Sequence, residues 1–368
     1  EVQCSNPIAE PDFIKPYFGL RLFPVWHVGT DYLHEIGKNW YDFLVDKGVE
    51  FIWETKVTRI DFDAQELFIG EEESFINPKN WPINYDRLMF AVGKSGIDFG
   101  KQLADDYKLP TEPKPVQIGV RFEAPQKHFQ KLIDISYDFK LYRKFEDKGV
   151  SLRSFCTNNN AAYVAVEQTY GDVSYNGHAK KGEEHRNDMT NFGILMEIQG
   201  IEEPFKWSRD LVKKVNKTWF DSSKGIGRHS RKTHTGLYYS PTRKRGMTSE
   251  GDIIDAMPIE SLDQVRDAFQ GYYSYIDDFI DDMKKVFPTL GDDWGVYVPE
   301  VKYLSPEPLV NYNDLSLVDY DNVHFVGDAL SARGITVSGA QGIYVTEHIL
   351  GEYEKELYIY NQGTGDIF

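Results

Sequence analysis

The sequence predicts an α/β protein whose middle is a β-rich segment of α+β character. Three observations predict it. The closing stretch runs from a short apolar strand, VHFVGD, through a glycine-bearing turn into a helix. The middle holds successive runs of strand texture, VQIGVRFEAP, SLRSFCTNN, AAYVAVEQ and FGILMEIQ. A chain of 368 residues has room for two domains, or for one domain carrying a large insertion.

Each element follows in order. Residues 1–26 are rich in proline and aromatics and show no clear period. Gly29, Thr30 and Asp31 then open a helix. Leu33, Ile36, Trp40, Phe43 and Leu44 share one of its faces, and Gly48 stands where a C-terminal cap belongs. VEFIWETKVTRIDFD alternates and is β-branched, so it reads as strands, and LMFAVG is a short apolar strand ending at Gly93. Pro110, Pro113 and Pro115 mark a boundary, beyond which the β-rich run begins. Two helical patterns follow. One passes Trp207, Leu211, Val215 and Trp219; the other passes Val265, Phe269, Tyr272, Ile276, Phe279 and Met283 and stops before Pro288. The closing helix passes Val345 and Ile349.

Composition excludes several classes. With 41% hydrophobic and 14% aromatic residues the chain can bury a core. A formal net charge of -17 repels phosphate backbones, so nucleic acid is not an expected partner. Cys4 and Cys156 are the only cysteines, which gives no disulfide framework and fits a reducing, cytoplasmic setting. No run of about 18 apolar residues occurs, so no membrane partner is expected. The first residues carry no signal-peptide pattern and no starting Met, and they read as the middle of something. No His, Cys and carboxylate spacing suggests a metal, and no GxSxG elbow is present.

The closing unit carries the chemistry. Gly327 after a buried strand lets a ligand approach the backbone, and the Asp328 carboxylate can accept hydrogen bonds from sugar or ribityl hydroxyls. The helix that starts near Gly334 points unpaired N–H groups and its positive end at whatever lies there. At a flavin, that target is the N1/O2 edge, where negative charge collects on reduction. The small residues Ser338, Gly339, Ala340 and Gly342 are expected to let this helix pack tightly. Taken alone, strand–Gly-Asp–helix is equally well an ordinary β–α unit with Asp as a cap.

The stretch resembles the C-terminal FAD motif of the two-dinucleotide-binding-domain flavoproteins. An ordered series extends the likeness: HVGTDYL, DKGVEF, AVGKSG, PKPVQIGVRFE, SFCTNN, SYNGHAK, SPT, VKYLSPEPL and the closing segment. Over roughly residues 25–350 the chain resembles the uncharacterised bacterial FAD-dependent dehydrogenases, also described as NAD(FAD)-utilising dehydrogenases. The resemblance implies a Rossmann-like FAD/NAD(P)-binding domain split in sequence, residues 1–112 and 311–368, around an inserted β-rich α+β substrate or cap domain, residues 113–310. It implies that Asp328 holds the ribityl or pyrophosphate region and that Arg333, Gly334 and Ile335 lie at the flavin end. It also implies that the Val57 backbone meets the adenine and that Gly93 ends the strand closing over the nucleotide. FAD is the implied cofactor, and NAD(P) a candidate electron partner. Two departures stand out. No GxGxxG occurs, which points either to an N-terminally truncated chain or to lost tight FAD binding, and the first is favoured because the downstream elements are intact. Ala329-Leu330 replaces small residues, and a leucine there is expected to crowd the phosphates.

Other candidates lie in the inserted segment. Cys156, where the family also places a cysteine, is a candidate flavin-side thiol or a buried structural cysteine. His178, the best placed of His27, His178 and His234, is a candidate acid–base group. Ser222 to Ser249 carries Lys224, Arg228, Arg231, Lys232, Arg243, Lys244 and Arg245 with no acidic residue. That segment is either an anion-holding site or a solvated loop. The expected activity is oxidation or reduction of a small organic substrate by hydride transfer at flavin N5. A non-catalytic, ligand-binding remnant and a flavin-dependent RNA-modifying enzyme are the alternatives. Oligomeric state is not legible.

Overall fold

The structure, a computed structural model, describes residues 11–23, 27–70, 81–169, 171–223, 237–248, 256–257, 259–304, 306–332 and 334–351. In chain order the first elements are β1 (Gly19–Phe23), α1 (Leu33–Asp46), β2 (Lys56–Asp61), β3 (Glu66–Gly70), β4 (Trp81–Asn84), β5 (Leu88–Phe90), α2 (Ile97–Asp106) and β6 (Thr111–Glu112). The β-rich run is β7 (Val116–Pro125), α3 (Gln130–Ile133), β8 (Asp138–Phe145), β9 (Val150–Asn160), β10 (Ala162–Thr169), β11 (Asp172–Ala179) and β12 (Met189–Ile198). Then come α4 (Pro204–Ser223), β13 (Leu237–Tyr239), α5 (Ile259–Ala268), α6 (Tyr273–Val286), β14 (Gly295–Lys302), β15 (Glu307–Pro308), β16 (Ser316–Leu317), β17 (Tyr320–Phe325) and α7 (Ile335–Leu350). The protein is mixed α/β, with one large antiparallel sheet and seven α-helices among the described residues.

Two compact units divide the chain: Glu1–Asn39 with Pro115–Tyr303, and Trp40–Lys114 with Leu304–Phe368. Unit one is built on a seven-stranded sheet in the order β1-β8-β9-β12-β7-β14-β13, antiparallel throughout. Period-2 alternation gives the sheet two different faces. Ile118, Val120, Phe122, Phe139, Leu141, Leu152, Ile194 and Met196 make a dry face with almost no exposure. The stripe Tyr273, Ile276, Phe279 and Met283 of α6 is buried as well, and the Phe279 ring meets Phe18 at 4.7 Å. The opposite face carries Arg121 and Glu123, and the β10–β11 hairpin approaches it from β9 and β14. The second helical pattern is two helices, not one. Gln270 and Gly271 both take positive φ, which ends α5 and restarts the chain as α6.

Unit two holds β5 parallel to β17, with Val323 opposite Leu88 and Phe325 opposite Phe90. It also holds the antiparallel sheet β2-β3-β4 and the short pair β6–β15. Pro82 is tolerated because β4 is an edge strand. Ile60, Phe62, Phe90, Leu103, Val323 and Phe325 form one buried cluster. Of the segment expected to be strand from Val49 onward, only Lys56–Asp61 joins a ladder. Gly48, at φ 86°, ends α1 as expected, its N–H donating to the Val45 carbonyl at 2.9 Å. Among the described residues no helix is long and apolar enough to cross a membrane.

Candidate functional site

Paired parallel strands end side by side, so whatever follows them is brought together. After β17 the Val326 N–H donates to the Phe90 carbonyl at 3.2 Å, and the chain then turns at Gly327, φ 66°. After β5 it turns at Gly93, φ 62°. Both turns need a backbone that L side chains rarely adopt. The turns beyond these two glycines are neighbours. The Gly327 N–H donates to Oε1 of Gln341 on α7 at 2.7 Å, which ties the turn to the helix. Gly334, φ 111°, caps α7, and Ile335 behind it is 79% exposed. A Cβ at Gly93 or Gly334 would meet nothing within 4 Å, so both face open space. Val57, in β2, packs against the cluster that contains Phe90 and Phe325. Arg333 lies outside the described residues.

Two expectations for this segment change. Leu330 is buried in the hydrophobic cluster of unit two, so it packs inward instead of crowding a ligand. Gly339 and Gly342 have nothing within 4 Å of a Cβ position, so among the described residues they serve no tight helix packing. Their smallness has no structural account.

In unit one, charged side chains gather on the polar face of the sheet. Arg121 has no exposed side-chain surface. Its Nη2 donates to Glu300 Oε1 at 2.8 Å, and its Nε lies 2.8 Å from Glu300 Oε2. The second approach is close but off line for a hydrogen bond, so the pair is an ion pair with one good hydrogen bond. Arg121 Nη1 also donates to the Cys156 carbonyl at 3.0 Å. Gly177 above the guanidinium and Gly193 beneath the Glu300 carboxylate leave room for this layer. A Cβ would come within 2.6 Å of Arg121 at the first and 2.9 Å of Glu300 at the second. Burial pushes the Glu300 carboxyl up to about 7, against the pull of Arg121 and Lys302.

Cys156 sits where β9 bulges against β12, with φ 48°. Its side chain is exposed. The surrounding protein nevertheless crowds it and pushes the thiol up, while Lys302 and Arg121 draw it down. Accessible surface governs whether a reagent reaches the sulfur, and crowding governs its ionisation. His178 on β11 stands opposite Tyr163, half-buried, with ring centroids 5.9 Å apart. Arg243 is committed to acidic partners, with Nη2 2.5 Å from Asp293 Oδ1 and Nη1 3.4 Å from Glu123 Oε1. Arg228 and Arg231 lie outside the described residues.

A cavity of about 140 Å³ opens beside this face, lined by His27, Tyr137, Asn159, Asn160 and the turn Lys180–Glu183. His27 Nδ1 accepts the Gly29 N–H at 3.1 Å, and the Lys181 N–H donates to Asp31 Oδ1 at 3.1 Å. Gly29 has φ 98°, and a Cβ there would strike Asp31 and the Lys181 side chain at 2.6 Å. The 27–31 loop is therefore fastened to the 180–182 turn through Asp31, whose two carboxylate oxygens share the Lys181 N–H. Sequence reasoning named His27 but missed Tyr137, Lys181, Arg121, Glu123 and Glu300. The alternation of charge with apolar residues in VQIGVRFE was the legible signal for Arg121 and Glu123. Nothing local marks the others. Among the described residues no group of His, Cys, Asp and Glu could hold a metal ion. Neither protein-family models nor curated proteins match this chain.

Proposed function

We propose that this chain is an FAD-dependent oxidoreductase acting on a small organic substrate, cytoplasmic, with NAD(P) as electron partner and without a nucleic-acid partner. On this reading it resembles the bacterial FAD-dependent dehydrogenases, with a Rossmann-like domain interrupted by the inserted β-rich segment of residues 113–310. The observation that carries it is the parallel pair β5–β17, each strand followed by a positive-φ glycine, with α7 capped by a third at Gly334. The residues present fit the cofactor. Gly93 and Gly334 border open space, and the N–H groups of the first turn of α7 have no intrahelical partner. Gly93, Gly327, Asp328, Gly334 and Ile335 would hold it, and the helix end would favour negative charge beside them.

When bound, FAD supplies hydride chemistry at its N5. The chain's own residues orient the reactants and move protons. The exposed thiol of Cys156 and the half-buried ring of His178 are the candidate reacting groups of unit one. The test is the visible spectrum of the purified full-length gene product, before and after reconstitution with FAD. Flavin absorbance that stays with the protein through gel filtration is expected. A colourless protein that takes up no FAD would overturn the reading in favour of a ligand-binding remnant.

A further inference from the structure

The cavity beside His27 has a size, a charge and a donor pattern. A cavity of roughly 150 Å³ is the size that holds benzene, so about 140 Å³ takes a molecule of about six non-hydrogen atoms. Four of its lining side chains are ordinarily ionised. Lys180, Lys181 and Arg186 are cationic, and Glu183 alone is anionic. Arg186 Nε is engaged by Asp188 at 2.8 Å, which holds the guanidinium in place and leaves its Nη groups to donate elsewhere.

The deeper wall adds donors without charge. Because His27 Nδ1 accepts the Gly29 N–H, the ring proton of the neutral imidazole is assigned to Nε2. The Tyr137 hydroxyl accepts the Asn159 N–H at 3.3 Å, which leaves its own proton to donate. His27 and Tyr137 are half-buried, whereas Lys181 and Arg186 are exposed. The cavity thus grades from neutral donors inside to cations at the rim. The charged or titratable groups that face His27 are Lys181, Asp138, Asp31 and His178. Burial and Lys181 hold its imidazole below the usual histidine range, so it is neutral at pH 7.

We propose that this cavity binds a small organic carboxylate of about six non-hydrogen atoms, its carboxylate on Lys181 and Arg186 and its other oxygen facing His27 and Tyr137. Binding is independent of the flavin reading; a role for this anion as the oxidoreductase substrate rests on that reading. Lactate is the probe, and lactamide, neutral and of the same size, is the control. The His27 ring signal is followed by NMR in the full chain without added FAD.

Saturable lactate binding is expected, with a Kd on the order of 1 mM. A bound anion favours the imidazolium, so lactate raises the pH midpoint of His27, while lactamide leaves it unmoved. Lys181→Met and Arg186→Met each weaken lactate about tenfold and change thermal unfolding little, since both side chains are exposed, the Arg186–Asp188 pair lies at the surface and the contact of Lys181 to Asp31 runs through its backbone. No saturable lactate binding, equal binding of lactamide, or unweakened binding in both variants overturns the proposal. Tight inorganic phosphate with no lactate binding also overturns it. Because no flavin enters the measurement, a failed FAD reconstitution and a failed lactate titration are separate results.

Discussion

Six donors converge on Glu123, a carboxylate with no exposed surface. Tyr238, the Met247 amide and Arg243 reach Oε1; Tyr297, the Thr248 amide and the Thr248 hydroxyl reach Oε2. A buried charge is tolerated only when it is paired and hydrogen-bonded in this way. Burial beside that carboxylate pushes the Tyr297 hydroxyl well above its ordinary value, so it stays a donor. Tyr297→Phe is expected to cost about 2 kcal/mol, read from urea denaturation, because the bond it removes goes to a charged acceptor. A loss below about 0.5 kcal/mol would mean that water replaces the hydroxyl.

Glu300 is the second test at this scale. Its folded value of about 7 exceeds the ordinary 4.5, so the folded state holds the proton more tightly than the unfolded one. Its contribution therefore favours folding below pH 4.5 and is lost as pH rises through about 7, on the order of 3 kcal/mol. Glu300→Gln removes that dependence, so the variant should gain on the native chain between about pH 5 and about pH 8. Parallel melting curves across that range would show that Arg121 keeps the carboxylate ionised throughout.

At the scale of elements, glycines separate the parts that are packed from those that are open. A Cβ at Gly119, in mid-strand β7, would lie 1.8 Å from the Ile194 carbonyl oxygen of the neighbouring strand. Backbone cannot yield there without parting the sheet, so Gly119→Ala is expected to abolish soluble folded protein. Gly342, inside α7, has open space around it. Gly342→Ala is expected to stabilise by about 0.5–1 kcal/mol, through helix propensity alone. A destabilised variant in thermal melts would show that the position packs against something. The β9 bulge follows the same logic: one extra residue turns Cys156 out of the alternation and exposes a thiol that regular pleating would place by parity.

The whole molecule carries a formal net charge of -17, and charge of that size repels itself in a compact state. Raising salt from about 10 mM to about 150 mM shortens the screening length from about 30 to about 8 Å. The melting temperature should rise by a few degrees over that range, since exposed ion pairs such as Lys101–Asp105 are each worth about 1 kcal/mol or less and lose little. A falling melting temperature would mean that ion pairs outweigh the net repulsion. Against that acidic background the cations at the His27 cavity stand out, because placement and not total charge sets the local field.

The sequence by itself determined the strands. Alternation in VQIGVRFEAP, SLRSFCTNN and FGILMEIQ is a local property of the chain, and β7, β9 and β12 lie where it places them. It also marked VHFVGD as a strand and the helix beyond it, because apolar runs and glycine punctuation need no partner to be read. Tertiary structure decided everything that depends on register. Arg121 meets Glu300 across 179 positions, and Asp31 meets Lys181 across 150. Only the pairing of β7 with β14 brings the first pair together, and only the folding of the 27–31 loop onto the 180–182 turn brings the second. A one-residue slip would send each side chain of a strand to the opposite face, so no local pattern can state which charges will meet.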